Sequence, residues 1–153
     1  MSTINLQRFI EQAQRIWKQG AEEAKDSYWR FRRTFECPAY PTEPMELAIA
    51  ADTDFEVRIN GNRLPGTQYQ AYPEKRFYTV FKQVEQFLVP GKNCISVLVY
   101  RLGVPNATHS LAPGGLMLAL TDGCWQLLTD AAWKVSPDTA YVSGQCKNMT
   151  FPV

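Results

Sequence analysis

The chain predicts an all-β fold: a two-sheet antiparallel sandwich with jelly-roll connections, preceded by one N-terminal amphipathic helix. Three observations lead there. Apolar residues alternate at period 2 in several short runs, such as Leu47, Ile49, Ala51 and then Phe55, Val57, Ile59. That is the spacing of strands with one face buried. Tight-turn pairs punctuate the runs at Asn60-Gly61, Pro90-Gly91 and Asp122-Gly123, as antiparallel connections require. No strand–helix–strand repeat occurs, which excludes parallel-sheet folds. At 153 residues one domain can bury a core without staples.

In chain order, Leu6, Phe9, Ile10, Ala13, Ile16 and Trp17 recur every three or four residues among Arg8, Glu11, Gln12, Arg15 and Lys18. This spacing predicts an amphipathic helix from Leu6 to Trp17, ending near Gly20. Its apolar stripe can pack on the sandwich, on a neighbouring domain, or on a second copy of the chain. Residues 1–27 are thus expected to form the helix and its connection, and residues 28–153 the sandwich. YWRFRRTFE is the first long strand, with Trp29, Phe31 and Phe35 on one face and Arg33 interrupting it. Arg30, Arg32 and Thr34 face the other way, so the basic run is expected to be a solvated strand face. CPAYPTEP, with three prolines in eight residues, is a loop.

Leu47–Ala51 and Phe55–Ile59 have the form of two strands joined at the polar turn Asp52-Thr53-Asp54, that is, a hairpin. Asn60-Gly61 supplies the positive-φ pair for the next turn. TQYQAYPEKR has loop character, Phe77–Phe81 alternates as a short strand, and Gln83–Val89 suggests a helical turn. Pro90-Gly91 fits a type II turn. CISVLVY, apolar on both faces, is expected to be central and covered twice. RLGVPNATHSLAPGG is a breaker-rich loop of fifteen residues, long enough to be functional. Leu116–Leu120 and Trp125–Leu127 pair across Asp122-Gly123. Lys134-Val135 and a weakly patterned tail close a count of seven or eight strands.

Composition excludes several chemistries. A net charge of +1, from 16 basic and 15 acidic residues, offers no electrostatic footprint for nucleic acid or an anionic membrane. No run approaches a membrane span. The opening MSTINLQRF lacks a basic head and apolar block, so the expectation is a cytoplasmic chain or a piece of a longer protein. Cys37, Cys94, Cys124 and Cys146 are scattered and there is one histidine, which argues against zinc; free, mostly buried thiols are expected. Asn106-Ala107-Thr108 and Asn148-Met149-Thr150 match the glycosylation acceptor pattern, which carries weight only in a secreted protein. No glycine-rich phosphate loop or serine elbow is present. Asp52, Asp54, Asp122 and Asp130 lie at turns, where Asx geometry explains them without a substrate. Asp52 and Asp54 alone are a thin basis for calcium, so no cofactor is expected. Four Trp, seven Tyr and eight Phe exceed what the core needs, and rings beside short polar side chains can stack on sugars. Tyr69 and Tyr72, in one loop with Gln68 and Gln70, are the best such candidates.

Four segments together resemble the amino-terminal β-sandwich domain of α-L-rhamnosidases, glycoside hydrolase family 78, in the galactose-binding-domain-like superfamily. They are YWRFRRTFECP, AIAADTDFEVRINGNRLPG, FLVPGKNCISVLVYRLG and LAPGGLMLALTDGCWQLLTDAAWKVSP. Order and spacing match from Trp29 to Pro137, about seventy percent of the chain. The Leu6–Trp17 segment lies outside the match, and Asp52-Thr53-Asp54 stands where the family more often has paired acids. The resemblance implies a non-catalytic, carbohydrate-related accessory domain. Catalysis in that family belongs to a separate (α/α)₆ domain of the parent chain, so no catalytic residue carries over. In related modules sugars meet loops at one end of the sandwich, which makes Tyr69, Tyr72, Arg76 and His109 the candidate sugar contacts. The alternative is a structural module that binds no sugar and packs on a catalytic domain or a second copy.

Overall fold

A computed structural model describes residues 4–64, 78–104 and 113–142. Its elements are helix α1 (Leu6–Gln12) and strands β1 (Ser27–Cys37), β2 (Glu46–Ala51), β3 (Asp54–Ile59), β4 (Asn62–Arg63) and β5 (Thr79–Phe81). A 3₁₀ turn (Val84–Phe87) follows, then β6 (Gly91–Arg101), β7 (Leu116–Thr121), β8 (Gln126–Leu128) and β9 (Lys134–Pro137). A five-stranded sheet in the order β4-β3-β6-β1-β9 faces a four-stranded sheet in the order β5-β2-β7-β8, all pairs antiparallel. The all-β two-sheet sandwich expected from the sequence is the fold observed.

The core follows from strand alternation. Phe31, Val57, Ile59, Ile95, Val97 and Val99 line the inner face of the larger sheet. Leu47, Ile49, Leu116, Leu118 and Leu120 line the smaller one, every one of these essentially sealed from solvent. β6 is the central member, flanked along its length by β1, with Ser27 opposite Arg101 and Cys37 opposite Gly91, and by β3 on its other edge. A segment apolar on both faces belongs in that position.

Two expectations are corrected. β2 and β3 are not a hairpin: β2 pairs with β5 and β7, β3 with β4 and β6, so the chain changes sheets at Asp52-Thr53. Period 2 reports which face is buried, not which strand is the neighbour, and a short polar corner looks the same in either case. The helix is also shorter than its pattern, ending at Ala13, whose ψ of 139° is extended. Beyond it the backbone joins the smaller sheet: Gln14 N–H donates to Thr129 O, and Ile16 exchanges both backbone hydrogen bonds with Leu116. Ile16 and Trp17 therefore pack on the inter-sheet core, whereas Leu6, Phe9, Ile10 and Ala13 pack on the outer side of the smaller sheet, over Ala48 and Ala119. Alanine at those two positions leaves room for the helix. Of the uses expected for the apolar stripe, packing on its own sheet is the one seen. The Trp17 ring lies where any Cβ at Gly114 would stand, so glycine is required there.

The two glycine turns form as expected, with Asn60 and Gly61 at φ of 51° and 81° and Gly91 at 87°. Their asparagines meet. Asn60 Nδ2 donates to Asn93 Oδ1 (2.8 Å) and Phe87 O (2.9 Å), while Asn60 Oδ1 accepts from Cys94 N–H (2.9 Å). Asn93, 1% exposed, also accepts from Val89 N–H and donates to the carbonyls of Val89 and Gly91. One amide thus satisfies most of the buried backbone groups of the turn that starts β6. Asn93→Ala strands those groups and should cost about 2–4 kcal/mol, measured as a lower urea midpoint with an unchanged slope; Asn93→Asp keeps the acceptor but sets a buried carboxylate oxygen against the Val89 and Gly91 carbonyls and should cost at least as much.

Candidate functional site

Tyr69, Tyr72, Arg76 and His109 lie outside the described residues. Three described residues bordering them, Tyr78, Val104 and Pro113, stand at one end of the sandwich. The register fixes that end, since Ile49 pairs with Thr79, Ala51 with Leu116, Asp54 with Tyr100 and Ser27 with Arg101. Leu64, the remaining bordering residue, lies further along, beside β3, its N–H donating to Val57 O.

This end is polar inside and aromatic outside. Arg101, 0% exposed, closes β6; its Nε lies 3.6 Å from Asp52 Oδ2 and its Nη1 donates to Ala24 O. Thr53 fixes the corner beside it. Its N–H donates to Tyr100 O (2.7 Å), and its hydroxyl donates to Asp52 Oδ1 (3.1 Å) and accepts from Leu102 N–H (3.0 Å). Asp52 N–H reaches across to Gly115 O on the other sheet (3.0 Å). On the outer face the Tyr28 ring sits between Tyr100 (4.8 Å, 39°) and Tyr141 (4.7 Å, 13°). The Tyr100 hydroxyl donates to Asp26 Oδ1 at 2.7 Å. Tyr141 is 48% exposed. An open phenol face bordered by carboxylates is a surface on which a sugar ring can stack and donate hydroxyls.

Asp138 holds the Tyr141 segment in place. Its carboxylate accepts from Arg30 Nη2 (2.7 Å) and Nε (3.2 Å) and from Ala140 N–H (2.9 Å), and its own N–H donates to Tyr28 O. Burial alone pushes this carboxyl up, but the Ala140 hydrogen bond and the Arg30 hydrogen bond and charge together hold it below the usual carboxylate range. At the opposite end a crevice of about 370 Å³ lies between the start of α1 and the β7–β8 turn, lined by Ile4, Asn5, Arg8, Phe9, Asp122, Gly123 and Cys124.

Three of the four turn-site aspartates singled out in the sequence are bound to backbone N–H groups. Asp122 Oδ1 accepts from the N–H groups of Cys124 and Trp125, Asp130 Oδ1 from Ala132 N–H, and Asp54 Oδ1 from Phe55 N–H. These turn-site carboxylates are engaged with backbone, as Asx geometry implied. The Cys37 thiol is pushed up by burial and then by the Glu36 charge, which keeps it protonated and a poor nucleophile. Cys94 and Cys124 are free as well, and Cys146 lies outside the described residues. Among the described residues no group of three or more His, Cys, Asp or Glu side chains could hold a metal ion, and no helix is long and apolar enough to cross a membrane.

Sequence reasoning did not single out Tyr28, Tyr100, Tyr141 or Asp138. Tyr28 and Tyr100 occupy the outward phase of their strands, a signal that was available. Tyr141 and Asp138 join them only through the β1–β9 pairing, which no local pattern announces. Two expectations test this end. Arg101→Ala should cost about 3–5 kcal/mol in a urea titration, because it leaves Asp52 without its buried counter-charge. Asp138, with its folded pKa below the unfolded one, contributes stability above the unfolded value that is lost as pH falls through the folded one. Asp138→Asn should therefore flatten the acid side of the stability–pH curve, most visibly below pH about 4, read from urea midpoints at stepped pH.

No family model matches the chain. No curated protein matches it either. Solved structures do. The chain is similar to part of the GH78 family rhamnosidase of Bacillus sp. GL1, at 32% identity and a TM-score of 0.76, over 82% of this chain and 13% of that one. It is similar in fold to part of the Streptomyces avermitilis α-L-rhamnosidase, determined with L-rhamnose, at 22% identity and a TM-score of 0.62, over 90% of this chain and 14% of that one. A lectin from Pleurotus ostreatus shares the fold at 20% identity and a TM-score of 0.60, over 82% of this chain and 35% of the lectin. The chain thus spans about one seventh or less of either rhamnosidase. It is a small β-sandwich domain structurally related to a domain of GH78 rhamnosidases.

Proposed function

We propose that this chain is a carbohydrate-related accessory domain without catalytic activity of its own, of the kind carried by α-L-rhamnosidase-like glycoside hydrolases. Hydrolysis of glycosyl bonds belongs, in this reading, to an (α/α)₆ domain of a parent chain. The observation that carries the reading is the 32% identity to a GH78 rhamnosidase over 82% of this chain. The likeness in fold to a lectin and the backbone-bound state of Asp54, Asp122 and Asp130 agree with it. Tyr69, Tyr72, Arg76 and His109 are the candidate sugar contacts.

Titrating the chain with rhamnose, galactose and plant or bacterial oligosaccharides should give a saturable change in tryptophan fluorescence. Tyr69→Ala and Tyr72→Ala should each weaken that binding by about 1 kcal/mol, roughly fivefold in Kd, without shifting the urea midpoint. A folded protein that stays silent across the panel would sink the reading and leave a structural module that packs on its parent.

A further inference from the structure

We infer a second binding site, for a carboxylate-bearing sugar, at the open edge between the sheets, where β1 carries Arg33 and Phe35 on one side and Phe35 packs on Trp125. The inference rests on the carbohydrate reading above and adds to it a location, a charge requirement and a residue. β1 alternates so that Phe31, Arg33, Phe35 and Cys37 share its core-facing side. Arg30 and Arg32 face outward, the former paired with Asp138 and the latter exposed. Arg33 alone of the basic run points inward, opposite Ile95 of β6. Its Nε is buried and has no hydrogen-bond partner among the described residues. One N–H of the guanidinium fork thus goes unanswered on a half-buried side chain.

The surroundings explain why no described group answers. The last β1–β9 pair is Arg32–Lys134, so β9 stops before it covers Arg33. The next residue back, Trp133, ties the edge to the other sheet by donating from its ring N–H to Leu128 O (3.0 Å). One step along β1, the Phe35 ring lies 5.8 Å from that of Trp125. Trp125 comes from the β7–β8 turn of the opposite sheet and is 36% exposed. Asp122, in the same turn as Trp125, is committed to backbone N–H groups. A partly open aromatic platform beside a guanidinium with an unanswered N–H suits a ligand with an apolar ring face and a carboxylate that can accept two parallel N–H bonds. A uronic acid residue has both.

Orphaned buried donors are costly, and packing alone would favour an apolar residue at this position. The site therefore separates binding from stability. Isothermal titration of the 153-residue chain with digalacturonate, with the neutral disaccharide lactose, and with acetate distinguishes the sources. Digalacturonate should bind at least tenfold more tightly than lactose, and acetate should not compete at equal concentration. Arg33→Gln should remove that preference while leaving the urea midpoint equal or higher, and Trp125→Ala should weaken digalacturonate without restoring lactose. Equal binding of digalacturonate and lactose, with Arg33→Gln unchanged, overturns this site but leaves the carbohydrate reading standing. Competition by acetate at parity makes it an anion site and overturns the sugar assignment. Silence towards digalacturonate and the neutral panel alike overturns both.

Discussion

The change of sheets at Asp52-Thr53 is the constraint on which the remaining architecture depends. Strands adjacent in sequence are put on opposite sides of the core, so Leu47 and Ile49 face Val57 and Ile59 instead of lying beside them. β3 is then free to pair with β6 and β2 with β7, which makes two sheets where a run of hairpins would make one. The corner is tied to both sheets at once, through Tyr100 and Leu102 on one and Gly115 on the other. Arg101 stands behind it with Asp52 as counter-charge. Burying such a pair gains little net stability compared with apolar residues of the same volume. What it supplies is a position: a charged group that is satisfied only when the chain turns at this place.

The two outer faces have been put to different uses by the same alternation. On the smaller sheet the outward residues Ala48 and Ala119 are small, and α1 covers them with Leu6, Phe9 and Ile10. Burying three such side chains gives about 1.5–3 kcal/mol each, enough to hold a helix of seven residues that would not persist alone. On the larger sheet several outward positions are charged, with Arg30 paired to Asp138 and Glu56 to Arg58 and Arg63. Exposed pairs of this kind add little stability, but they keep the face wetted and discourage nonspecific association.

Most of the fold was legible because strand burial is periodic. β6 announced itself by being apolar on both sides, β7 and β8 by alternation around Asp122-Gly123, and the Asn60 and Gly91 turns by their chemistry. Partner choice was not legible, since nothing local distinguishes a hairpin from a change of sheets. The helix was overextended for a related reason: Ile16 and Trp17 continue a helical spacing while packing on a different surface from a strand-like backbone. The candidate sugar contacts came from loops, where no periodicity operates, and they lie outside the described residues. The surface at Tyr28, Tyr100 and Tyr141 needed the long-range β1–β9 register, which composition does not encode in any short window.

Arg33 and Arg101 show how the same residue type can serve two ends. Both lie on the core-facing side of their strands, six residues from each other's cross-strand partners, since Arg33 pairs with Ile95 and Arg101 with Ser27. Arg101 is sealed, yet Asp52 and Ala24 answer it, and its role is architectural. Arg33 is less buried, and its Nε has no acceptor among the described residues. A basic run in the sequence conceals this difference, because Arg30, Arg32 and Arg33 differ by only one or two positions. Strand alternation sends two of them to water and turns the third inward. Asp52 and Ala24 fix Arg101 in the fold, whereas the inward guanidinium of Arg33 is the group that the proposed ligand would engage.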